Sequence, residues 1–447
     1  MSENTAGSEH LKMSLRTTAT ANYLAAGIAA AAPLLALPYY LTHLGAEGWG
    51  LVSFALTLVV IIGMLEIGIS QRLVRDLSLL AHRGRSGFLR VFRPIESYYW
   101  MAAAALALVV LLLAPLVVQH WLHLSSEHER DGYLTVYFCA ALLLTQIPNA
   151  AYRSLLVAND RQVALCIQQT AINLIKHGGG ILVVTRGGGL EGLYIHWAVT
   201  AVVDVATRKW ITRRGPSDRA EVVVFDWQQA RVLLTSGLRM SVAVVTSIFA
   251  LQLDRLYMSK LGSLSDLGIY SIAVALAYGA LQLSAPLIAA VAPRMAVAST
   301  TQRDLDQLCK KLLTGMLLSV FAAAALYLAV GEYLVLRWLK SAETFDQLRW
   351  TLRLLLIGTA LNTLYQIGYQ RWIALGQTRI ILHVNVLALL VAATLTPVMI
   401  LRFGMVGATA AWIGLNVVGL AFHARWLVHL AFSPSVGNQP GQQAQDP

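Results

Sequence analysis

The sequence predicts an all-α polytopic membrane protein of about twelve transmembrane helices, built as two six-helix halves related as parallel repeats. Three observations predict it. The chain is 57% hydrophobic and only 13% charged, where a soluble protein carries about a quarter charged residues. Apolar runs near the ~20 residues that cross a bilayer core recur along it. The chain also repeats itself at an offset of 215–218 residues. Tyr40, Gly45, Gly50, Ser53 and Ala55 return as Tyr257, Gly262, Gly268, Ser271 and Ala273. Arg153 and Arg161 return as Arg371 and Arg379, and Gly189, Gly192 and Trp197 as Gly404, Gly407 and Trp412. A duplicated hydrophobic chain is the usual build of a transporter whose substrate site lies between two halves.

Taken in order, spans 1 to 6 are expected at 19–42, 48–69, 94–119, 132–157, 162–184 and 188–207, and make an N-lobe over 19–207. Spans 7 to 12 are expected at 232–259, 265–292, 311–336, 350–374, 378–401 and 404–430, and make a C-lobe over 232–432. Residues 1–18 are polar and no convincing cleavage site follows them, so span 1 is expected to be retained. Residues 208–231 form the inter-lobe linker, whose end, Phe225 to Leu234, has the pattern of an interfacial amphipathic helix, with 9–18 as its counterpart ahead of span 1. The tail 433–447 is rich in Ser, Pro, Gly and Gln and is expected to be disordered.

Basic residues set the orientation. Arg72, Arg75, Arg83, Arg85, Arg90 and Arg93 crowd the loop after span 2. Arg208, Lys209, Arg213, Arg214 and Arg219 crowd the loop after span 6, and Arg294, Arg303, Lys310 and Lys311 follow span 8. The alternate loops are poorer in cations, which places both termini in the cytoplasm. Much of the +11 net charge lies in these loops and reads as topology and membrane-lipid contact, not as a nucleic-acid surface. Cys139, Cys166 and Cys309 are scattered without metal or disulfide spacing. No phosphate-binding glycine loop points to ATP, and neither a cofactor nor a metal is expected.

An ionisable side chain within a span costs at least ~2.5–3.5 kcal/mol on insertion scales, so it persists where it faces protein or water. In span 5, Gln169, Asn173, Lys176 and His177 share one helical face, and Gly178, Gly179 and Gly180 follow. These residues fit a cationic, flexible cavity lining; they also fit Lys176 paired with a carboxylate and glycines that allow close packing. Arg239 lies about two turns into span 7 and Arg255 near its outer end beside Asp254. Adjacent helical residues diverge, so one of Asp254 and Arg255 is directed to the cavity unless the two form a rim ion pair. Arg239 lines the cavity or snorkels to the interface. Glu66 and Asp204 lie near the inner ends of spans 2 and 6. Either could carry a coupling ion, or pair with a neighbour such as Arg72 or Arg208. His196 in span 6 is a proton-relay candidate or a hydrogen-bonded core residue. Gln146, Asn149 and Arg153 follow one face of span 4, and Asn362, Gln366 and Gln370 one face of span 10. Amides so arranged suit a hydroxyl-rich substrate, and serve equally as interhelical hydrogen bonds. Prolines at Pro33, Pro38, Pro115, Pro148, Pro286 and Pro397 favour kinks.

Three segments resemble a known family: Leu37 to Gly50 (LPYYLTHLGAEGWG), Leu65 to Arg72 (LEIGISQR) with Arg75 and Asp76, and Gln252 to Gly262 (QLDRLYMSKLG) with Leu267 to Ala273. They are similar to the bacterial polysaccharide-biosynthesis flippases of the multidrug/oligosaccharidyl-lipid/polysaccharide exporter superfamily. The resemblance spans roughly residues 15–430, and departs from the family where Glu66 stands in place of the usual aspartate. It implies two six-helix lobes forming a V around a central cavity. It implies a substrate such as an undecaprenyl-diphosphate-linked oligosaccharide (an O-antigen or exopolysaccharide repeat unit), moved from the cytoplasmic to the periplasmic leaflet of the bacterial inner membrane by ion-coupled alternating access. The glycan polymerase and assembly proteins are candidate partners. The candidate substrate residues are Lys176, Arg239, Arg255, Gln169, Asn173, Asn149, Asn362 and Gln366; the candidate ion-coupling or ion-pair residues are Glu66, Asp204 and Asp254. A drug/cation antiporter of the same superfamily is the rival, but it calls for cavity carboxylates, whereas the charge of span 5 is positive. A peptidoglycan-precursor flippase would show extra spans. A membrane-bound glycosyltransferase would need a soluble catalytic loop that the chain lacks, so no enzyme is expected.

Overall fold

The computed structural model describes residues 3–81, 85–122, 128–159, 161–213, 249–281 and 302–432, with single positions between them. Side chains are described from Thr20 onward, apart from those of 65–69, 71–72, 75–94, 378 and 431–432. Arg239, the linker beyond Arg213, the segment Phe225 to Leu234 and the tail 433–447 lie outside the described residues, as does the side chain of Glu66.

The architecture is helical throughout the described residues. α1 (Glu3–Ala81) contains spans 1 and 2, joined at Gly45, whose φ of 71° breaks the helix. α2 (Arg85–Leu112) continues past a break at Leu113, just ahead of Pro115, into a π-turn over Val117–Trp121. Then follow α3 (Glu129–Ala158), α4 (Gln162–Thr185) and α5 (Gly189–Arg213), which are spans 4 to 6. α6 (Leu253–Leu261) is the described end of span 7, and α7 (Leu264–Leu281) is span 8. α8 (Gln302–Leu326) runs through a second π-turn, Tyr327–Gly331, into Glu332–Leu339. α9 (Ala342–Ala374) is span 10. α10 (Thr378–Ala421) holds span 11 and most of span 12, and α11 (Ala424–Phe432) completes it.

The repeat is visible in the backbone. Gly189 and Gly404, repeat equivalents, start spans 6 and 12 with φ of 56° and 57°, the left-handed region where glycine carries no steric penalty. Tyr40 donates to the His177 carbonyl at 3.3 Å, and its equivalent Tyr257 donates to that of Ala393 at 3.2 Å. Both bonds tie the first span of a lobe to the fifth.

Among the described residues six helices are long and apolar enough to cross a membrane. Thr20–Met64 and Arg379–Ala421, at 45 and 43 residues, are each long enough to cross twice. α4, α5 and α9 are not among these six. Large apolar side chains such as Leu108, Leu112, Phe321, Leu328, Leu390 and Leu401 point outward, an apolar perimeter suited to lipid. One continuous core of buried residues joins both lobes, from Ala36 and Tyr40 to Tyr270, Leu352 and Trp412.

The lobes meet at the end of the bundle that carries Gly45, Leu122, Gly187, Gly262 and Lys340, here the distal end. Gly50 of span 2 and Gly268 of span 8 face each other so closely that a Cβ on Gly50 would lie 2.0 Å from the Leu264 carbonyl oxygen. A Cβ on Gly268 would lie 2.1 Å from that of Ala46. Beside them Ser53 and Ser271 hydroxyls are 2.7 Å apart, and Trp49 Nε1 donates to Ser271 Oγ at 3.0 Å. Gly50 and Gly268, like Ser53 and Ser271, are repeat equivalents, so the pseudo-twofold axis passes through this seam. Trp121 Nε1 donates to Ser259 Oγ at 3.0 Å, Lys260 donates to the His120 carbonyl, and Lys340 Nζ lies 5.4 Å from the Tyr39 ring centre. Each of these contacts crosses between lobes.

Candidate functional site

Inward of the seam lies a cavity of about 400 Å³ between the lobes. Spans 1 and 2 supply Pro33, Tyr40, Trp49 and Ser53 to it, span 5 Lys176 and His177, span 6 Trp197, span 7 Arg255, and span 8 Ser271 and Tyr278. Of the sequence candidates, Lys176 and Arg255 are therefore brought together on one cavity, one from each lobe. No Asp or Glu is among its described lining residues.

Each cation rests on an aromatic ring. Lys176 Nζ sits 4.3 Å from the Trp197 ring centre, and Arg255 Cζ 5.7 Å from that of Tyr278. Both lie within the ~6 Å range of a cation–π contact. Lys176 has no ion-pair partner among the described residues. Arg255 donates from one terminal nitrogen to Gln252 Oε1 at 3.0 Å, and its buried Nε has no acceptor among the described residues. The aromatic floor continues through Tyr40, which stacks on Trp49 at 5.7 Å and meets Trp197 edge-on at 5.7 Å.

Asp254 and Arg255 part company as helical geometry requires. Asp254 turns into the C-lobe, where it accepts from the Tyr270 hydroxyl at 2.6 Å and from the Arg255 backbone N–H at 2.8 Å. Asp204 sits inside the N-lobe. It accepts from Asn149, from Gln168 at 2.6 Å and from Arg208 at 3.0 Å, while Arg208 also donates to Gln168 Oε1 at 3.1 Å. Two expectations are corrected here. Asn149 is spent on Asp204 and not on the cavity, and Asn362 donates to Asn416 Oδ1 at 2.7 Å inside the C-lobe. A polar stripe on a helix shows that one face is protein-facing; it does not say which neighbour it meets. Gln169, Asn173 and Gln366 are half-buried and are not among the residues lining the cavity; Asn173 donates to the Gln169 carbonyl at 3.0 Å.

Of the two readings of Gly178–Gly180, a flexible lining or close packing, the structure fits the second, because α4 stays helical to Thr185. A Cβ on Gly179 would meet the His196 ring at 2.4 Å, and one on Gly180 the Tyr40 hydroxyl at 2.5 Å. At these two positions glycine serves close packing. His177, read from the sequence on the same face as Lys176, also lines the cavity, whereas sequence reasoning missed Trp197, Tyr278 and Tyr40 as cavity-lining groups. Trp197 carried a signal, as one of the aromatics kept in both repeats.

At the end opposite the seam, the Glu96 carboxylate pairs with Lys209 at 2.8 Å and accepts from the Tyr152 hydroxyl, while in the C-lobe Asp306 approaches Arg371 at 3.7 Å and accepts from Trp426 Nε1 at 3.2 Å. These pairs knit helix ends within each lobe and do not touch the cavity.

Residues 16–299 match the family model described as polysaccharide biosynthesis protein. The chain belongs to that family. It is 22% identical over 402 residues to a Shigella flexneri protein named "Putative O-antigen transporter", covering 88% of this chain and 93% of that one. Its fold matches the lipid II flippase MurJ in an inward closed conformation, with a TM-score of 0.74 at 12% identity over 93% of this chain and 89% of that one. It also matches a multidrug resistance MATE family transporter of the MOP superfamily in an inward-facing conformation, with a TM-score of 0.69 at 13% identity over 90% and 96%. The family member described here is thus a multi-pass membrane protein with the two-lobe transporter fold of that superfamily.

Proposed function

We propose that this protein is a flippase that carries a diphosphate-linked lipid oligosaccharide, such as an undecaprenyl-diphosphate O-antigen or exopolysaccharide repeat unit, across the bacterial inner membrane by alternating access. One observation carries the reading: Lys176 and Arg255, from opposite lobes, face one cavity whose described lining holds no carboxylate. The headgroup diphosphate is the part of such a lipid that hydrocarbon excludes most strongly. An ammonium and a guanidinium held in a site poor in water replace its hydration, and the guanidinium grips it through paired N–H donors. The prenyl chain stays in the bilayer between the lobes, and the sugars meet the cavity's hydroxyls and aromatic faces.

The same lining argues against a drug/cation antiporter, because two cations without an ion-pair partner among the described residues repel a cationic cargo. With both termini in the cytoplasm, as the loop cations indicate, the glycine seam closes the periplasmic side. The cavity is then the state that loads from the cytoplasmic leaflet. Rocking of the lobes about the seam exposes it to the other side. Asp204 is committed to Arg208, Asn149 and Gln168 inside the N-lobe, the ion-pair alternative of the sequence reading; Asp254, held by Tyr270 inside the C-lobe, and Glu66 remain the candidates for a coupling ion.

The test is surface polysaccharide in a flippase-deficient strain complemented with Lys176→Ala, Arg255→Ala or the parent. Each alanine variant should lower surface glycan while its membrane level stays normal. Undiminished glycan in both would remove the cavity from the mechanism.

A further inference from the structure

Three successive carbonyls of span 5 around Lys176 accept hydrogen bonds from side chains of other spans. His196 Nε2 of span 6 lies 3.1 Å from the Ile175 carbonyl oxygen and 3.2 Å from that of Lys176. The Tyr40 hydroxyl of span 1 donates to that of His177. Carbonyls only accept, so His196 carries its proton on Nε2. The approach is possible because Gly179 leaves the imidazole room; a Cβ there would meet three of its ring atoms. The next residue along, Trp197, is the ring beneath the Lys176 ammonium. Two consecutive residues of span 6 therefore hold Lys176 at both ends, His196 by its backbone and Trp197 by its charge.

The duplication supplies an internal control. In the C-lobe the tyrosine-to-carbonyl bond persists as Tyr257 to Ala393, and Trp412 stands where Trp197 stands. The equivalent of Lys176 is Ala392 and that of His196 is Ala411, and these two alanines pack with Leu253 in an apolar cluster. The fold and the tyrosine contact do not need the histidine. Within this molecule it stands only where the cation stands.

We propose that His196 is a positioning residue that fixes the register of span 5 and so sets the place of the Lys176 ammonium over Trp197, the point at which the substrate diphosphate is held. The role rests on the transport reading above, but its geometric half can be tested without any substrate. In full-length protein carrying Lys176→Cys, with Cys139, Cys166 and Cys309 changed to serine, the rate at which an anionic thiol reagent labels position 176 reports where that side chain lies. His196→Leu should change the rate by threefold or more. His196→Gln, whose amide N–H can reach the same carbonyls, should leave it at the parental value. An unchanged rate in a folded His196→Leu protein would overturn the proposal, whatever the cargo.

The second readout uses undecaprenyl diphosphate in detergent, followed by tryptophan fluorescence. His196→Leu should weaken binding by roughly tenfold, the scale of one lost charge-assisted hydrogen bond. It should have no further effect in a Lys176→Ala background. Equal losses in the presence and absence of Lys176 would contradict a role acting through the lysine. Absence of binding by the parent would count against the transport reading while the labelling result still decides the role of His196.

Discussion

Changing Gly50 to alanine probes the seam between the lobes. The new Cβ would lie 2.0 Å from the Leu264 carbonyl oxygen and 2.9 Å from its carbon. Such contacts do not occur below 3.0 Å, so spans 2 and 8 must separate by at least 1 Å there, against backbone that cannot rotate away. Overpacking of this kind costs ~1–3 kcal/mol, and at ~1.4 kcal/mol per factor of ten the ratio of molecules closed to molecules open at the distal end should fall roughly 5- to 140-fold. The cost falls on the closed state alone, since in a parted state the methyl group meets no partner across the seam. The assay is oxidative cross-linking of Ser53→Cys with Ser271→Cys, whose parent hydroxyls are 2.7 Å apart. Cys139, Cys166 and Cys309 are buried and free, which keeps the background low. In the parent background the cross-link should form fast and stop glycan export until reductant is added. With Gly50→Ala it should form at least fivefold more slowly. Cross-linking at the parental rate in Gly50→Ala would refute the claim that this glycine contact closes the distal end.

Two further outcomes follow from the lobes' internal polar clusters. Asp204→Asn leaves the buried Arg208 without its countercharge, and loss of one partner of a buried pair costs on the order of 3–5 kcal/mol, so the variant should melt markedly lower in detergent and accumulate poorly; parental stability would show the cluster to be dispensable. Glu96→Gln breaks a pair in which Lys209 and Glu96 keep 33% and 21% of their side-chain exposure, so a loss of no more than ~1 kcal/mol is expected, with export unchanged; a large export defect would tie this helix-end pair to transport.

Much of the architecture was legible because duplication and hydropathy act over whole spans. The offset that matched Gly189 with Gly404 reappears as two glycines with matching positive φ, and the one that matched Ser53 with Ser271 reappears as a hydroxyl contact across the axis. Lys176 and Arg255 were legible singly, since a charge in a span requires protein or water beside it. Their convergence was not, because they belong to different lobes and nothing in the sequence sets how the lobes face each other. Asn149 and Asn362 were misread for the complementary reason. An amide can satisfy a neighbouring helix as well as a sugar, and here Asp204 and Asn416 take them. The glycines after Lys176 read as weak helix, but tertiary packing of His196 and Tyr40 against them overrides their low helix propensity.

The most direct measurement is translocation by purified protein in vesicles, with a short fluorescent-sugar undecaprenyl diphosphate placed in the donor leaflet and its appearance on the other side followed by enzymatic trimming. The parent should move it, and Lys176→Ala combined with Arg255→Ala should abolish that movement while retaining the parental melting temperature. Equal movement by the doubly substituted protein, or movement of organic cations in place of the diphosphate lipid, would contradict the account.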